Sequence, residues 1–287
     1  MRRTVVVLLL AGLLAGCGGA GRDEATPAQD EATPAPFAFP TPPAGAPPPP
    51  VDPLAELATG LVRVDPPSSS ARTCTNGGEE RLGSREVAFA AVAHGRTTAF
   101  AKPGGRSVEV FERLNVNGYP TVFGVLAVVR NKRCEPIWYR VQLPIRPNGA
   151  QGYVRAGNVE LNRVRTRIEV DLSARRLDFL RDGRLVWTLT TAVGTDSTPT
   201  PTGRYYVNQR LVAPDPSGPW GPAALGISAY SPVLIHWTQG GPIAIHGTNN
   251  PGSIGHAASN GCLRLLNDDL ERLYERTPAG TPVVIRA

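Results

Sequence analysis

Between Pro242 and Leu266, two short apolar runs flank a connection that no regular element can cross unbroken. Ile243-Ala244-Ile245 leads into His246, and Cys262-Leu263-Arg264-Leu265-Leu266 closes the stretch. Gly247, Asn249, Asn250, Pro251, Gly252, Gly255 and Gly261 lie between them. Apolar alternation on either side of a turn-rich connection reads as strand, loop, strand. Successive strand side chains point to opposite faces. Cys262 and Arg264 are therefore predicted on one face, and Leu263 and Leu265 on the other. Loops held by rigid strands are where catalytic residues gather.

The chemistry available to such a stretch is that of a cysteine nucleophile. A free thiol has a pKa of about 8.5, so little of it is ionised at neutral pH. An imidazole that takes the proton activates it. His246 and Cys262 are the candidate pair. Gly261 allows close approach of a substrate carbonyl, and the N–H groups of Gly261 and Cys262 are candidate oxyanion donors. Arg264 is a fixed cation beside the thiol, or a clamp for a substrate carboxylate.

These residues resemble the L,D-transpeptidase catalytic domain (YkuD-like) family. That family carries a histidine in an I-H-G-T-like context and, about sixteen residues on, Ser-His-Gly-Cys followed by an aliphatic residue and Arg. Here the separation is 262 − 246 = 16, and the motif reads Ser259-Asn260-Gly261-Cys262-Leu263-Arg264. The resemblance runs from about Arg165 to Ala287. It implies Cys262 as nucleophile and His246 as base, with Ser259, Gly261 and Arg264 in supporting positions. Asn260 stands where the family has a second histidine. An amide still donates and accepts hydrogen bonds, so the expectation there is positioning. The resemblance also implies peptidoglycan stem peptides as substrates, a tetrapeptide donor with an amine acceptor, carbapenems as covalent inhibitors, and no metal or organic cofactor.

Other readings of the same residues stay open. A lone cysteine is most often a small buried hydrophobe. A zinc site from His236, His246, His256 and Cys262 has suitable ligand types but lacks the short paired spacings of such sites; His236 and His256 read as loop or surface histidines. An L,D-carboxypeptidase would use the same pair with water as acceptor, and a non-catalytic wall-binding lipoprotein would keep it as a relic. A papain-like amidase is disfavoured because that group places Cys before His.

The N-terminus reads as an export signal. Met1-Arg2-Arg3 precedes an apolar run from Thr4 to Ala15, too short for a membrane span. Leu14-Ala15-Gly16-Cys17 resembles a bacterial lipobox. The implied product loses residues 1–16 and carries lipid on Cys17; an ordinary signal peptide cut near Ala20 is the alternative. Residues 17–53 are rich in Ala, Pro, Thr and Gly and have too little apolar surface to offset ordering entropy. A semi-rigid tether at the outer face of the cell membrane or in the periplasm is expected, at about 3.1 Å per residue where proline sets polyproline II.

Residues 84–160 alternate short β-rich runs and turns. Trp138 to Pro144, Pro147-Asn148-Gly149 and Gly152-Tyr153-Val154 resemble the bacterial Src-homology-like small barrel, which implies a wall-binding or positioning module. Residues 165–287 are expected to form the catalytic domain. Arg181-Asp182-Gly183-Arg184 marks a hairpin, and Thr198 to Gly203 matches the family's TP-x-G turn. Pro214 to Pro222, with Trp220, is read together with Tyr230 as a lid or substrate wall, or as plain surface loop. Asn267 is expected to cap a short helix carrying Leu270, Leu273 and Tyr274. The fold class is mostly β: a C-terminal sandwich or barrel with a short helix, and a small N-terminal β-barrel.

The chain's 287 residues carry net charge +6, from 30 basic and 24 acidic side chains with no dense basic run. That suits an anionic envelope and gives no support to nucleic-acid binding. Of four cysteines, Cys17 is assigned to lipid and Cys74 and Cys134 bracket the barrel-like segment. An exported location permits their disulfide and leaves Cys262 as the odd thiol.

Overall fold

The computed structural model describes residues 61–65, 67 and 78–287. The signal-like segment, the tether, Cys17 and Cys74 lie outside the described residues. Strands dominate, with one α-helix, Asn267–Arg276, among the described residues, so the protein is mostly β.

The first sheet has nine strands, all antiparallel. It takes in Val62–Arg63 and Gly78–Arg81, upstream of the expected start at residue 84, and ends on Val159–Val164. Val122–Arg130 lies at its centre, pairing with Gly78–Arg81, Ala88–Ala93 and Pro136–Gln142. The outermost strands, Val62–Arg63 and Ser107–Phe111, do not pair with each other. The sheet buries its own core around Phe89, Phe123, Val128, Tyr139, Val141 and Leu143.

The second sheet has eight strands, in the order Arg184–Thr190, Arg176–Arg181, Thr166–Asp171, Pro282–Arg286, Gly203–Val212, Ala223–Tyr230, Pro242–His246, Leu263–Arg264. Its first hairpin turns through Asp182 and Gly183, both at positive φ (53° and 72°), the twist a two-residue turn needs between right-twisted strands. Two pairings are parallel: Thr166–Asp171 with Pro282–Arg286, and Pro242–His246 with Leu263–Arg264. The second of these brings the histidine and the cysteine together.

Alternation decides which way that pair faces. Ile243, Ile245, Leu263 and Leu265 are essentially unexposed and join Leu225, Leu270 and Leu273 in the core. Each such side chain contributes roughly 1.5–3 kcal/mol of transfer free energy. The helix lays Leu270 and Leu273 into that core, with Tyr274 half-buried against it. Asp268 and Asp269 in its first turn and Arg276 in its last oppose the helix dipole favourably. Asn267 does not cap it, contrary to expectation: no side chain caps this helix, and the Asn267 amide oxygen accepts the Thr248 N–H at 2.8 Å instead.

The two sheets meet over Tyr206, which is 2% exposed and donates its hydroxyl to Val122 O at 3.0 Å. Gly124 makes room for the ring: a Cβ there would lie 2.9 Å from Tyr206 Cδ1. Asn115 and Asn117 both donate to Gln209 Oε1, at 2.8 and 2.9 Å. Gln209 is the buried member of this set, and leaving its amide unmatched would cost about 1–3 kcal/mol, so the junction's register is favoured.

Candidate active site

His246 ends its strand buried and pairs in register with Arg264, while Ile245 pairs with Leu263. Paired residues of parallel strands present side chains to the same side. Ala244 and His246 therefore share a face with Cys262 and Arg264, opposite the main core. On that face Leu211, Ala224 and Ala244 form a small apolar cluster against which Trp220 and Cys262 pack. Trp220 comes from the Pro214 to Pro222 loop, and its ring sits 4.3 Å from the His246 ring, centroid to centroid.

The tautomer of His246 follows from one contact. Its Nδ1 lies 2.6 Å from Gly247 O. A carbonyl only accepts, so Nδ1 carries the proton and Nε2 keeps a bare lone pair. Burial pushes the imidazole down to about 3; Arg264 adds to the fall and the Gly247 hydrogen bond opposes it. Cys262 is the free cysteine among the described residues, and it is half-buried. Burial pushes its thiol up to about 11, against a backbone hydrogen bond from Ala244 and the charge of Arg264. Both groups therefore rest neutral near pH 7. The thiolate–imidazolium pair is not formed in advance, and proton transfer has to accompany attack.

The turn that carries Cys262 is built by Ser259. Its buried hydroxyl donates to Cys262 O at 2.6 Å and accepts the Gly261 N–H at 3.1 Å. That second bond departs from an expectation: the Gly261 N–H is committed inside the turn rather than free to meet a substrate oxygen. Gly261 sits at φ 108°, and a Cβ there would meet Ile243 Cδ1 at 3.0 Å and Pro199 O at 3.3 Å. Only glycine takes that conformation without strain. Thr198, from the TP-x-G turn, donates to Ser259 O at 3.0 Å and reaches Asn260 Oδ1 at 3.5 Å. The sequence pointed to this turn but not to its role of clasping the cysteine loop.

Arg264 is held from behind by its main chain, which exchanges hydrogen bonds with Ala192 at 2.9 and 3.1 Å and accepts from Thr191 Oγ1 at 3.0 Å. Its Nε is buried without a hydrogen-bond partner. Tyr230 is not part of this site. It pairs with Pro242 at the far end of the strand whose Ala224 pairs with His246, roughly 20 Å along at 3.3 Å per residue. Its hydroxyl donates to Pro144 O at 2.6 Å, and its N–H donates to Asn148 Oδ1 at 2.8 Å. Tyr230 thus serves the junction with the first sheet, while Trp220 walls the site. His236 and His256 are exposed, and no group of three or more His, Cys, Asp or Glu able to hold a metal ion occurs among the described residues.

Comparison with known proteins agrees on the C-terminal half. The profile of the L,D-transpeptidase catalytic domain (YkuD) matches residues 165–285. The protein named "Putative L,D-transpeptidase YkuD" of Bacillus licheniformis is 41% identical over 119 residues, covering 42% of this chain and 64% of that protein. Its Bacillus subtilis namesake is 39% identical over 118 residues, covering 41% and 64%. The chain thus spans just under two thirds of the length of these two relatives. Among solved structures, an L,D-transpeptidase from Mycobacterium smegmatis is 17% identical over 58% of this chain and 90% of its own, with a TM-score of 0.35, too loose a superposition to build on. Over residues 165–285 the chain is similar to the L,D-transpeptidase catalytic domain (YkuD).

Proposed function

We propose that this protein is a peptidoglycan L,D-transpeptidase working through a Cys262 thioester. The observation that carries the reading is the shared face: a thiol, a histidine whose Nε2 is bare because Nδ1 is tied to Gly247, and an arginine with an unsatisfied Nε. As Sγ attacks the carbonyl of the third stem residue, Nε2 takes the thiol proton. The Cys262 N–H steadies the oxyanion. The tetrahedral centre collapses, the C–N bond to D-alanine breaks, and the imidazolium returns its proton to the departing amine. An amine of a neighbouring stem then attacks the thioester, loses a proton to Nε2 and frees the thiol. Arg264 captures a carboxylate of the donor stem. Ser259 and Asn260 position the turn, and Asn260→His is expected to retain activity.

Export, lipid on Cys17, the Cys74–Cys134 disulfide, and a wall-positioning role for the first sheet complete the proposal. Their support is the sequence pattern: a basic start, a short apolar core, the lipobox-like tetrapeptide and the cysteine arithmetic. Incubation with a tetrapeptide stem, read by intact mass, tests the central claim. Wild type gains the acyl adduct and Cys262→Ala does not. Carbapenems add covalently to the same residue. An adduct that persists in Cys262→Ala, or a wild type inert to both reagents, leaves a non-catalytic wall-binding protein; release of free tripeptide without cross-linked product makes it a carboxypeptidase.

A further inference from the structure

A second groove opens where the two sheets meet, about 880 Å³ in volume. Its lining holds six arginines and no lysine: Arg81, Arg85 and Arg140 from the first domain, and Arg167, Arg204 and Arg286 from the second. These positions are scattered over some two hundred residues of sequence, and only the fold gathers them. In the second sheet, Glu169, Val284 and Arg204 form one row across three strands.

The groove is short of negative charge. Glu169 is the one carboxylate on the lining, and it reaches Arg85 and Arg286 only at 3.7 and 3.8 Å. Arg140 is matched by Glu79 at 2.7 Å. Among the described residues Arg81, Arg167 and Arg204 form no close ion pair, although Glu169 and Glu86 act on Arg167 from farther off. Arg167 Nε is buried without a hydrogen-bond partner. Burial pulls Arg167 below the usual arginine range, and Arg204, Arg85 and Arg286 add to this against Glu169. Six guanidiniums against three carboxylates, Glu169, Glu79 and Glu86, concentrate an excess of three charges in a chain whose net charge is +6. A cleft of one sign focuses its field on an opposite ligand.

The lining narrows the ligand class. Guanidinium forks match phosphate oxygens in pairs, where lysine supplies only a point charge. The aromatic rings here, Phe89, Tyr205 and Tyr206, are all buried, so there is no platform for stacked bases. The strands Thr166–Asp171, Pro282–Arg286 and Gly203–Val212 are paired on both sides, so none of these three offers an edge to which an extended peptide could add. We propose that this groove binds a phosphodiester-linked polyol polymer, holding the protein on an anionic chain independently of the Cys262 chemistry.

Calorimetric titration of the full chain with synthetic poly(glycerol phosphate) tests this, with poly-L-glutamate and a single-stranded oligonucleotide as comparators. Binding is expected to weaken with salt. It should fall by about tenfold or more in Arg167→Gln/Arg204→Gln, a loss the removal of two charge-assisted contacts accounts for. If that variant loses thermal stability, the exposed pair Arg204→Gln/Arg286→Gln carries the same expectation. Arg113→Gln/Arg133→Gln, exposed and outside the groove, should bind as wild type, and iodoacetamide alkylation of Cys262 should be unchanged throughout. No binding, equal loss in the Arg113/Arg133 pair, or equal or tighter binding of polyglutamate or oligonucleotide overturns the proposal.

Discussion

The indole of Trp220 lies against the imidazole of His246, centroids 4.3 Å apart and planes inclined by 45°. The same indole packs in the apolar cluster that holds Cys262. Burial is the leading cause of both pKa shifts at this site, and the loop from Pro214 to Pro222 supplies part of that cover. Trp220→Ala should therefore raise the His246 pKa toward its usual 6.5 and lower that of Cys262. Alkylation by iodoacetamide at pH 8 should speed up, roughly tenfold if the thiol's pKa falls by about one. A histidine NMR titration and a pH–rate profile by mass spectrometry read the two effects separately. Unchanged values in both would mean that the tryptophan contributes no desolvation.

A thiol with a pKa of about 11 is ionised in roughly one molecule in ten thousand at pH 7. Acylation by a stem peptide therefore depends on Nε2 of His246 as base. His246→Ala should slow acylation by about a hundredfold or more, the usual worth of general-base assistance being 10²–10⁴. The deficit should shrink as pH climbs toward 11, where the thiol ionises unaided. A single-turnover rate measured by mass spectrometry from pH 7 to 10.5 checks it. A deficit that stays constant over that range would assign His246 a structural role.

The strand pair at the centre of the site was legible because its periodicity is strict. Ile243, Ile245, Leu263 and Leu265 alternate with Ala244, His246, Cys262 and Arg264; the first four lie in the main core, while Ala244 and Cys262 belong to the small cluster on the other face. Spacing and residue type likewise pointed to Cys262 and His246 as a pair. What stayed hidden depends on contacts distant in sequence. Trp220 and Tyr230 lie in one stretch, yet the loop folds the first over His246 while the strand carries the second to the Asn148 junction. Asn267 has the chemistry of a helix cap, but Thr248 N–H takes its oxygen. The charge looked diffuse along the chain because Arg81, Arg140, Arg204 and Arg286 meet only when two sheets do.

Ser259 holds the cysteine turn through one hydroxyl that both donates and accepts. Ser259→Ala leaves the buried Gly261 N–H unpaired, at a cost of about 1–3 kcal/mol. Denaturant unfolding should show that loss, and single-turnover acylation should slow by more than alkylation with a small reagent does. Ser259→Thr keeps the hydroxyl and should recover most of the acylation rate. Equal slowing toward both reagents would mean that the turn sets thiol access alone.

The proposed export features have their own readouts. The mature chain should begin at lipidated Cys17 and partition into detergent, while Cys17→Ser should stay aqueous. Non-reducing peptide maps of the exported protein should join Cys74 to Cys134. Closing a loop of about sixty residues in that way would stabilise by roughly 4 kcal/mol in the chain-entropy model. An unlipidated mature N-terminus past Cys17 removes the anchor, and two further free thiols remove the bridge.

Stability should depend on the dyad at both ends of the pH scale. His246 has a folded pKa of about 3 against 6.5 when unfolded. Between those values the unfolded chain binds a proton that the folded one does not, so stability falls as pH drops from 6.5 toward 3. From pH 7 to 4.5 that amounts to about 2–3 kcal/mol. Cys262 behaves in the opposite sense: its thiol ionises at about 9 unfolded and about 11 folded. Stability is therefore lost as pH rises from 9 to 11, where the unfolded chain releases the proton first. Exposed carboxylates with lowered pKa, such as Asp171 and Asp215, also weaken the fold in acid, so the measurement has to be a difference. Urea unfolding of wild type, His246→Gln and Cys262→Ser at pH 4.5, 7 and 10 supplies it. His246→Gln should lose less stability than wild type between pH 7 and 4.5, and Cys262→Ser less between pH 7 and 10. If His246→Gln keeps the wild-type acid slope, the imidazole is not buried in the neutral form, and its Nε2 loses the standing as base that the Gly247 contact gives it.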